Sequence, residues 1–185
     1  MLLHQAGIEG AFTQPACGQN FKEIIEFMRN KQKGFSLIEL LIVVAIILII
    51  AAIAIPNLLR SKMAANEASA VGSVRTLNTS MVTYSTTYGG FPASLAALGP
   101  IAAGGTASSG LADLVDSVLA AGNKSGYTFT YTPATAVGGF VLSYTITANP
   151  SSPGTTGQRY FFSDQSGVIR ADSAAAATAT STPIS

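Results

Sequence analysis

Glu39 is the side chain in this sequence whose chemistry is least expected from its neighbours. It lies four residues into an apolar run, residues 35–55, which reads FSLIELLIVVAIILIIAAIAI. A carboxylate inside a membrane costs on the order of 2–3 kcal/mol, and less near a helix end, where the side chain can reach the interface. Glu39 is therefore either an acid tolerated near the interface or, as we favour, a functional residue with a specific partner.

The run predicts a helix that spans a membrane. At about 1.5 Å per residue, it would cross the roughly 30 Å hydrocarbon core of a bilayer. It is longer than the apolar part of an ordinary secretory signal. Arg29, Lys31 and Lys33 precede the run and Arg60 and Lys62 follow it, a mild bias that favours a cytoplasmic N-terminus. We therefore expect the polar C-terminal part to be translocated.

Composition argues against an enzyme. Cys17 is the only cysteine and His4 the only histidine, and both precede the apolar run. If that N-terminal part is removed, the rest of the chain cannot form an intrachain disulfide, a Cys nucleophile, a usual zinc site or a His-based triad. We expect no catalysis, no metal and no cofactor. The formal net charge of +1 gives no indication of a nucleic-acid-binding surface.

The residues around Glu39 resemble a processing signal. Residues 33–40, KGFSLIEL, are similar to the class III signal of type IV prepilins and pseudopilins, and the similarity continues through AAIAIPN at residues 51–57. The resemblance implies that the prepilin peptidase cuts after Gly34 on the cytoplasmic side and N-methylates the new terminus, Phe35. It also implies that Glu39 pairs with the Phe35 amine of a neighbouring subunit. Such a pair compensates two charges in an apolar helix bundle and sets the axial register.

Residues 1–34 would then be a leader peptide, which is long for this family. Met28 begins MRNKQKG, a short leader with three basic residues and no acid, whereas the upstream part carries Glu23 and Glu26. We expect translation to start at Met28. The alternative is a genuine long leader, as some pilins have.

The helix is predicted to continue through residues 56–88 as an amphipathic segment. Pro56 removes one helical hydrogen bond and predicts a kink. Gly89, Gly90 and Pro92 predict the end of the helix. An apolar stripe with three- and four-residue spacing predicts the face that packs on a sheet: Val71, Val74, Leu77, Met81, Tyr84 and Tyr88. The polar side chains are expected to lie largely elsewhere: Arg60, Lys62, Asn66, Glu67, Ser73 and Arg75.

The remaining chain predicts loops followed by strands. Residues 89–126 form a connecting region in which the spacing of Leu111–Leu119 predicts a short helix with Asp113 in its first turn. Residues 127–172 predict an antiparallel sheet, because aromatic and Thr residues begin to alternate. Residues 173–185 are low-complexity and are expected to form a flexible tail. The expected strands cover residues 127–132, 140–147, 159–163 and 167–170.

The predicted class is α+β. A long N-terminal helix, a loop and then a sheet resemble the pilin fold, with the C-terminal half of the helix packed on three or four antiparallel strands. Many type IV pilins close the C-terminal region with a disulfide, for which this chain has no cysteine. Some pseudopilins use calcium instead. Asp164 and Asp172 are possible ligands, but two acids on a hairpin are more often solvated surface.

The resemblance implies a structural subunit of a type IV pilus. It would be a single-pass inner-membrane protein that assembles, with the inner-membrane pilus machinery, into a homo-oligomeric helical filament serving adhesion, twitching motility or DNA uptake. The filament would lie at the cell surface or span the periplasm. The alternative is a pseudopilin of a type II secretion system, which shares the N-terminal signature. A membrane-tethered binding module that never polymerises is a further alternative, and it predicts that Gly34 is not processed.

Overall fold

The computed structural model describes residues 34–184. The predictions for the leader, for a start at Met28, and for Cys17 and His4 fall on residues outside this range. The described chain divides into two units, with the boundary between Ile50 and Ala51.

One helix, α1, dominates the described chain and runs from Leu37 to Tyr88. The sequence predicted this element closely, because an apolar run of membrane-spanning length must satisfy its backbone hydrogen bonds within a helix, and an amphipathic period follows it. Gly89 adopts a positive φ of 84°, a conformation that terminates helices and that glycine tolerates. The predicted end at Gly89 is therefore confirmed.

The sheet is an antiparallel meander whose strands follow one another in chain order. It has six strands rather than the three or four expected, because the two outermost strands have two residues each and are too short to show alternation. The central pairing extends from Tyr127 opposite Pro150 to Pro133 opposite Tyr144. The strands are β1 Asn123–Lys124, β2 Tyr127–Pro133, β3 Tyr144–Pro150, β4 Tyr160–Asp164, β5 Arg170–Asp172 and β6 Thr182–Pro183.

The predicted apolar stripe of α1 forms the core with one face of this sheet. Val74, Leu77 and Met81 are fully buried, and Tyr84 is nearly so. Burial of large apolar side chains at about 1.5–3 kcal/mol each is the main stabilising contribution here. The sheet side of the same cluster consists of Tyr127, Phe129, Tyr144, Ile146, Ala148, Phe161 and Ile169.

Several local predictions were wrong. The strand predicted at residues 167–170 shares only Arg170 with β5. The strand predicted at residues 140–147 begins only at Tyr144, because Gly138 and Gly139 adopt positive φ in a turn closed by a Val137–Phe140 bridge. The helix predicted over Leu111–Leu119 is reduced to one turn, α2, Ser117–Ala120, so Asp113 does not lie in a first helical turn.

The apolar spacing before α2 reflects burial rather than a helix. The backbone N–H groups of Ala112 and Leu114 donate to the carbonyls of Ala97 and Leu98, at 2.8 and 2.9 Å. These carbonyls belong to a 3-10 turn, Leu95–Leu98, so the segment is hydrogen-bonded to a neighbouring loop instead of to itself.

The C-terminal tail was expected to be flexible from its composition. In the structure it returns to the sheet as β6, which pairs with β5. The Ile184 N–H donates to the Ile169 carbonyl at 2.8 Å, and the Arg170 guanidinium donates to the Ser181 carbonyl at 3.1 Å. Ala177 is buried. Backbone pairing therefore orders a segment that has little apolar surface of its own.

Candidate assembly site

The predicted cleavage site lies just outside α1. Gly34, Phe35 and Ser36 precede the helix, and the first turn is closed by the Leu40 N–H donating to the Ser36 carbonyl at 3.1 Å. Phe35 is 70% exposed, and no atom of the described residues, 34–184, lies within 4 Å of where a Cβ of residue 34 would be. An exposed, non-helical peptide is the backbone form that proteases accept most readily. The Gly34–Phe35 bond is thus geometrically accessible.

Glu39 lies in the first turn of α1 and is exposed. Backbone N–H groups at this end of a helix lack intrahelical partners, and the helix dipole favours an acid there. Both ion pairs found within residues 34–184 involve other residues, so no cation from that range neutralises Glu39. Phe35 precedes Glu39 by four residues, a spacing that brings side chains together once a helix includes both.

The first part of α1 exposes an extended apolar surface. Every large apolar residue between Phe35 and Leu59 is exposed, the least of them Val43 at 44%. Surfaces of this kind in proteins normally contact lipid or another protein chain. By length and composition, α1 is able to cross a membrane, and none of its most apolar stretch is buried within residues 34–184. The Glu39 carboxylate is the one charge between residues 35 and 59, and a plain membrane span would lack it.

Pro56 lies inside α1, and the helix is continuous on both sides of it. A proline cannot donate to the carbonyl four residues earlier and crowds that carbonyl. Next to it, the Asn57 side-chain amide donates to the Ile53 carbonyl at 3.2 Å. The carbonyl that lacks a helical donor is that of Ala52, so this bond lies next to the gap and does not fill it. The kink at Pro56 remains a prediction.

Sequence reasoning missed a second polar feature, at Glu67. This residue was expected on the solvent side of α1, but it is only 9% exposed. Its Oε2 lies 2.8 Å from Nε of Arg159, and its Oε1 accepts the backbone N–H groups of Gln158 and Arg159 at 2.9 and 3.3 Å. The sequence did contain an indication that Glu67 is buried. Glu67 precedes Val71 by four residues and Val71 precedes Val74 by three, so Glu67 continues the apolar stripe.

The environment of Glu67 favours its charged form. Burial opposes ionisation, but the hydrogen bonds from Gln158 and Arg159 and the charge of the Arg159 guanidinium outweigh it, so the pKa of Glu67 lies below its ordinary value. Beside it, the Asn66 side-chain amide donates to the Thr156 carbonyl at 2.8 Å. Adjacent residues of α1 therefore hold the loop between β3 and β4 without a disulfide.

Asp164 and Asp172, the possible calcium ligands, each bind their own turn. Asp164 accepts the Ser166 N–H at 2.9 Å, and Asp172 accepts the Ala174 N–H at 2.9 Å. The backbone hydrogen bonds from Ala174 and Ala175 lower the pKa of the Asp172 carboxyl. Within residues 34–184, no group of three or more acidic, His or Cys side chains is arranged to hold a metal ion.

Comparison with known proteins decides what the N-terminal features represent. Residues 29–55 match the family model described as the prokaryotic N-terminal methylation motif. This match covers Gly34, Phe35, Glu39 and almost the whole exposed apolar surface. The chain therefore carries an N-terminal methylation motif of the kind that type IV pilins have. The long helix and antiparallel sheet that follow it have a pilin-like layout.

The chain is similar to the type IV wide pilus major component PilA4 of Thermus thermophilus. The two are 65% identical over 40 residues, which are 22% of this chain and 30% of the relative. The chain therefore matches less than a third of that protein's length. No solved structure matches it.

Proposed function

We propose that this pilin is a structural, non-enzymatic subunit of a type IV pilus that polymerises through the apolar part of α1. The observation that carries the proposal is the exposed apolar surface of residues 35–59, which holds one acid, Glu39, and begins at an accessible Gly34–Phe35 bond. A soluble domain has no use for such a surface, whereas a membrane and then a helix bundle can each cover it.

Processing is the first step of the proposed function. The subunit is inserted into the inner membrane with its leader in the cytoplasm, and prepilin peptidase hydrolyses the peptide bond between Gly34 and Phe35. The released Phe35 amine is then N-methylated and, as a secondary amine, still carries a positive charge near neutral pH. The length and apolar character of the segment, which suffice to cross a membrane, and the accessibility of the bond support insertion followed by cleavage.

Assembly is the second step. In the filament, lipid contacts of the apolar helices are replaced by helix–helix contacts, and the Glu39 carboxylate pairs with the Phe35 amine of a neighbouring subunit. Each charge alone is costly in an apolar bundle, so a subunit shifted along the axis leaves both unpaired. The inner-membrane assembly machinery is the partner that extracts the subunit. The resulting pilus serves adhesion, twitching motility or DNA uptake.

A complementation experiment in a strain that lacks the gene tests the assembly step. Glu39→Ala should be inserted and cleaved normally, but should give at least about tenfold fewer sheared filaments, because an unpaired amine costs more than about 1.4 kcal/mol. Ser36→Ala is the matched control and should assemble normally. Glu39→Ala filaments at the normal yield would contradict the role of Glu39 while leaving processing intact. Loss of cleavage in that variant would instead place Glu39 in peptidase recognition.

A further inference from the structure

The C-terminal end of α1 borders a cleft of about 360 Å³. Four aromatic side chains line it: Tyr84 and Tyr88 from the last turns of α1, Phe91 from the chain that follows, and Phe140 from the loop between β2 and β3. Among residues 34–184, no charged side chain contributes to the lining. The cleft lies within the unit Ala51–Ser185, far along the chain from the residues proposed to act in processing and assembly.

The two tyrosines from α1 are held in place by contacts within the fold. The Tyr84 hydroxyl donates to the Ser109 carbonyl at 2.6 Å, and its ring is nearly buried. The Tyr88 ring lies 4.6 Å from that ring, centroid to centroid, and is half-buried. Tyr88 therefore presents ring surface to the cleft from a fixed position.

The other two rings are also restrained. Phe91 packs edge-on against Tyr144 with centroids 4.6 Å apart, and its N–H donates to the Val141 carbonyl at 2.8 Å. Phe140 covers Gly89 and Gly90, where an added Cβ would lie 3.1 Å from it. Binding to such a site costs little conformational entropy, because four rings already surround the space.

The electrostatics of the cleft favour a cation. The C-terminal end of a helix carries a partial negative charge, and α1 has no basic residue in its last turn to balance it. The carbonyls of Thr86, Thr87 and Tyr88 accept no hydrogen bond from residues 34–184. Aromatic faces carry the negative part of the ring quadrupole and attract cations within about 6 Å. A metal ion would require oxygen ligands such as carboxylates, and the described lining contains no carboxylate.

We propose that this cleft binds a small organic cation of the quaternary ammonium class. Such an ion has an apolar surface that suits the aromatic lining, carries the charge that the helix end favours, and has no N–H donors that need partners. The site is independent of filament assembly and would be present in every subunit.

The test uses the full-length pilin in maltoside micelles, with its tyrosine ring resonances followed by NMR. Choline chloride should give saturable shifts of Tyr84 and Tyr88. Its neutral isostere, 3,3-dimethylbutan-1-ol, should bind at least about threefold more weakly, which corresponds to a cation–π contribution of about 0.5–1 kcal/mol. Sodium chloride at equal ionic strength should give no saturable shift. Equal binding of choline and the alcohol would overturn the proposal.

Two pairs of variants separate the contributions of the rings and the helix end. Tyr88→Leu should weaken choline binding, whereas Tyr160→Leu, outside the cleft, should not. Thr87→Lys places a cation in the last turn of α1 and should weaken binding about threefold, whereas Thr87→Gln should leave it unchanged. Unshifted Tyr127 resonances confirm that each variant is folded. If Tyr88→Leu disturbs them, the exposed Phe140→Leu replaces it. Unchanged affinity in both Thr87→Lys and the ring variant contradicts the proposed site.

Discussion

The Glu67 carboxylate on α1 lies 2.8 Å from Nε of Arg159, just before β4, and it also accepts two backbone N–H groups there. This contact joins residues that are 92 positions apart. It fixes the end of the β3–β4 loop on the helix in a chain that has no cysteine after residue 17. The loop is therefore held by charge-assisted hydrogen bonds instead of a covalent link.

Replacing Glu67 should lower the free energy of unfolding of the unit Ala51–Ser185, by less for glutamine than for leucine. Glu67→Gln keeps one acceptor oxygen but loses the ion pair, and Arg159 is 45% exposed, so the expected cost is about 1 kcal/mol. Glu67→Leu leaves two backbone donors without their acceptor and should cost about 2–3 kcal/mol. Urea unfolding followed by near-UV circular dichroism checks this, because all six tyrosines lie in residues 51–185. An equal cost for both variants would show that the hydrogen bonds to the backbone contribute nothing.

The stabilisation that the Glu67 carboxylate provides should be lost at low pH. The pKa of folded Glu67 lies below the ordinary value of 4.5, so the unfolded chain binds more protons in this range. The stabilisation is present above pH 4.5 and is lost as the pH falls through the folded-state pKa. The Glu67→Gln variant should lose less stability than the natural chain between neutral pH and about pH 3. Asp116, whose pKa the Lys124 ammonium lowers, titrates in both proteins and serves as the common background. Parallel pH profiles for the two proteins would contradict the assignment.

Gly157 is required by a close approach of Tyr127. A Cβ at position 157 would overlap the phenol, whose hydroxyl donates to the Arg159 carbonyl at 2.8 Å. Gly157→Ala should therefore cost about 1–3 kcal/mol of stability, since the ring must move in a packed core. Burial raises the pKa of Tyr127 to about 12, and displacement of the ring should bring that pKa closer to its ordinary value of 10.0. Gly110→Ala is the control, because its added methyl group meets only one atom, at 3.9 Å.

Replacing Gly72 by alanine should stabilise the protein, in contrast to Gly157→Ala. It lies inside α1, and no atom of the described part of the chain is within 4 Å of where its Cβ would be. Gly72→Ala should raise the free energy of unfolding by about 0.5–1 kcal/mol, because alanine loses less backbone entropy in a helix. Thermal unfolding of the detergent-solubilised protein measures the effect. A lower melting temperature would indicate an unrecognised close contact at this face.

The elements with strong periodicity could be predicted from the sequence. The stripe of Val74, Leu77 and Met81 identified the buried face of α1, and the alternation from Tyr127 identified β2, because burial imposes a period of about 3.6 or 2 on apolar residues. The outer strands β1 and β6 could not be predicted, since two residues give no period. The segment before α2 was wrongly predicted as a helix, because its apolar residues have helical spacing but pack against a neighbouring loop.

The candidate sites were predictable to different degrees. Gly34, Phe35 and Glu39 could be proposed from the sequence because a charged residue in an apolar run is rare and its surrounding motif is specific; their roles remain predictions. Glu67 was missed because a carboxylate on an amphipathic helix normally faces solvent, and its partner Arg159 is far along the chain. The aromatic cleft could not be predicted from the sequence, since the spacing of each of its aromatic residues is also that of a core residue.

The proposal that Gly34 is cleaved and that the mature chain polymerises is tested most directly by mass spectrometry of the subunit in filaments sheared from cells and examined by electron microscopy. The account predicts long filaments whose subunit begins at N-methylated Phe35. A subunit that retains residues before Phe35, or its presence only as a membrane-bound monomer, would contradict the account.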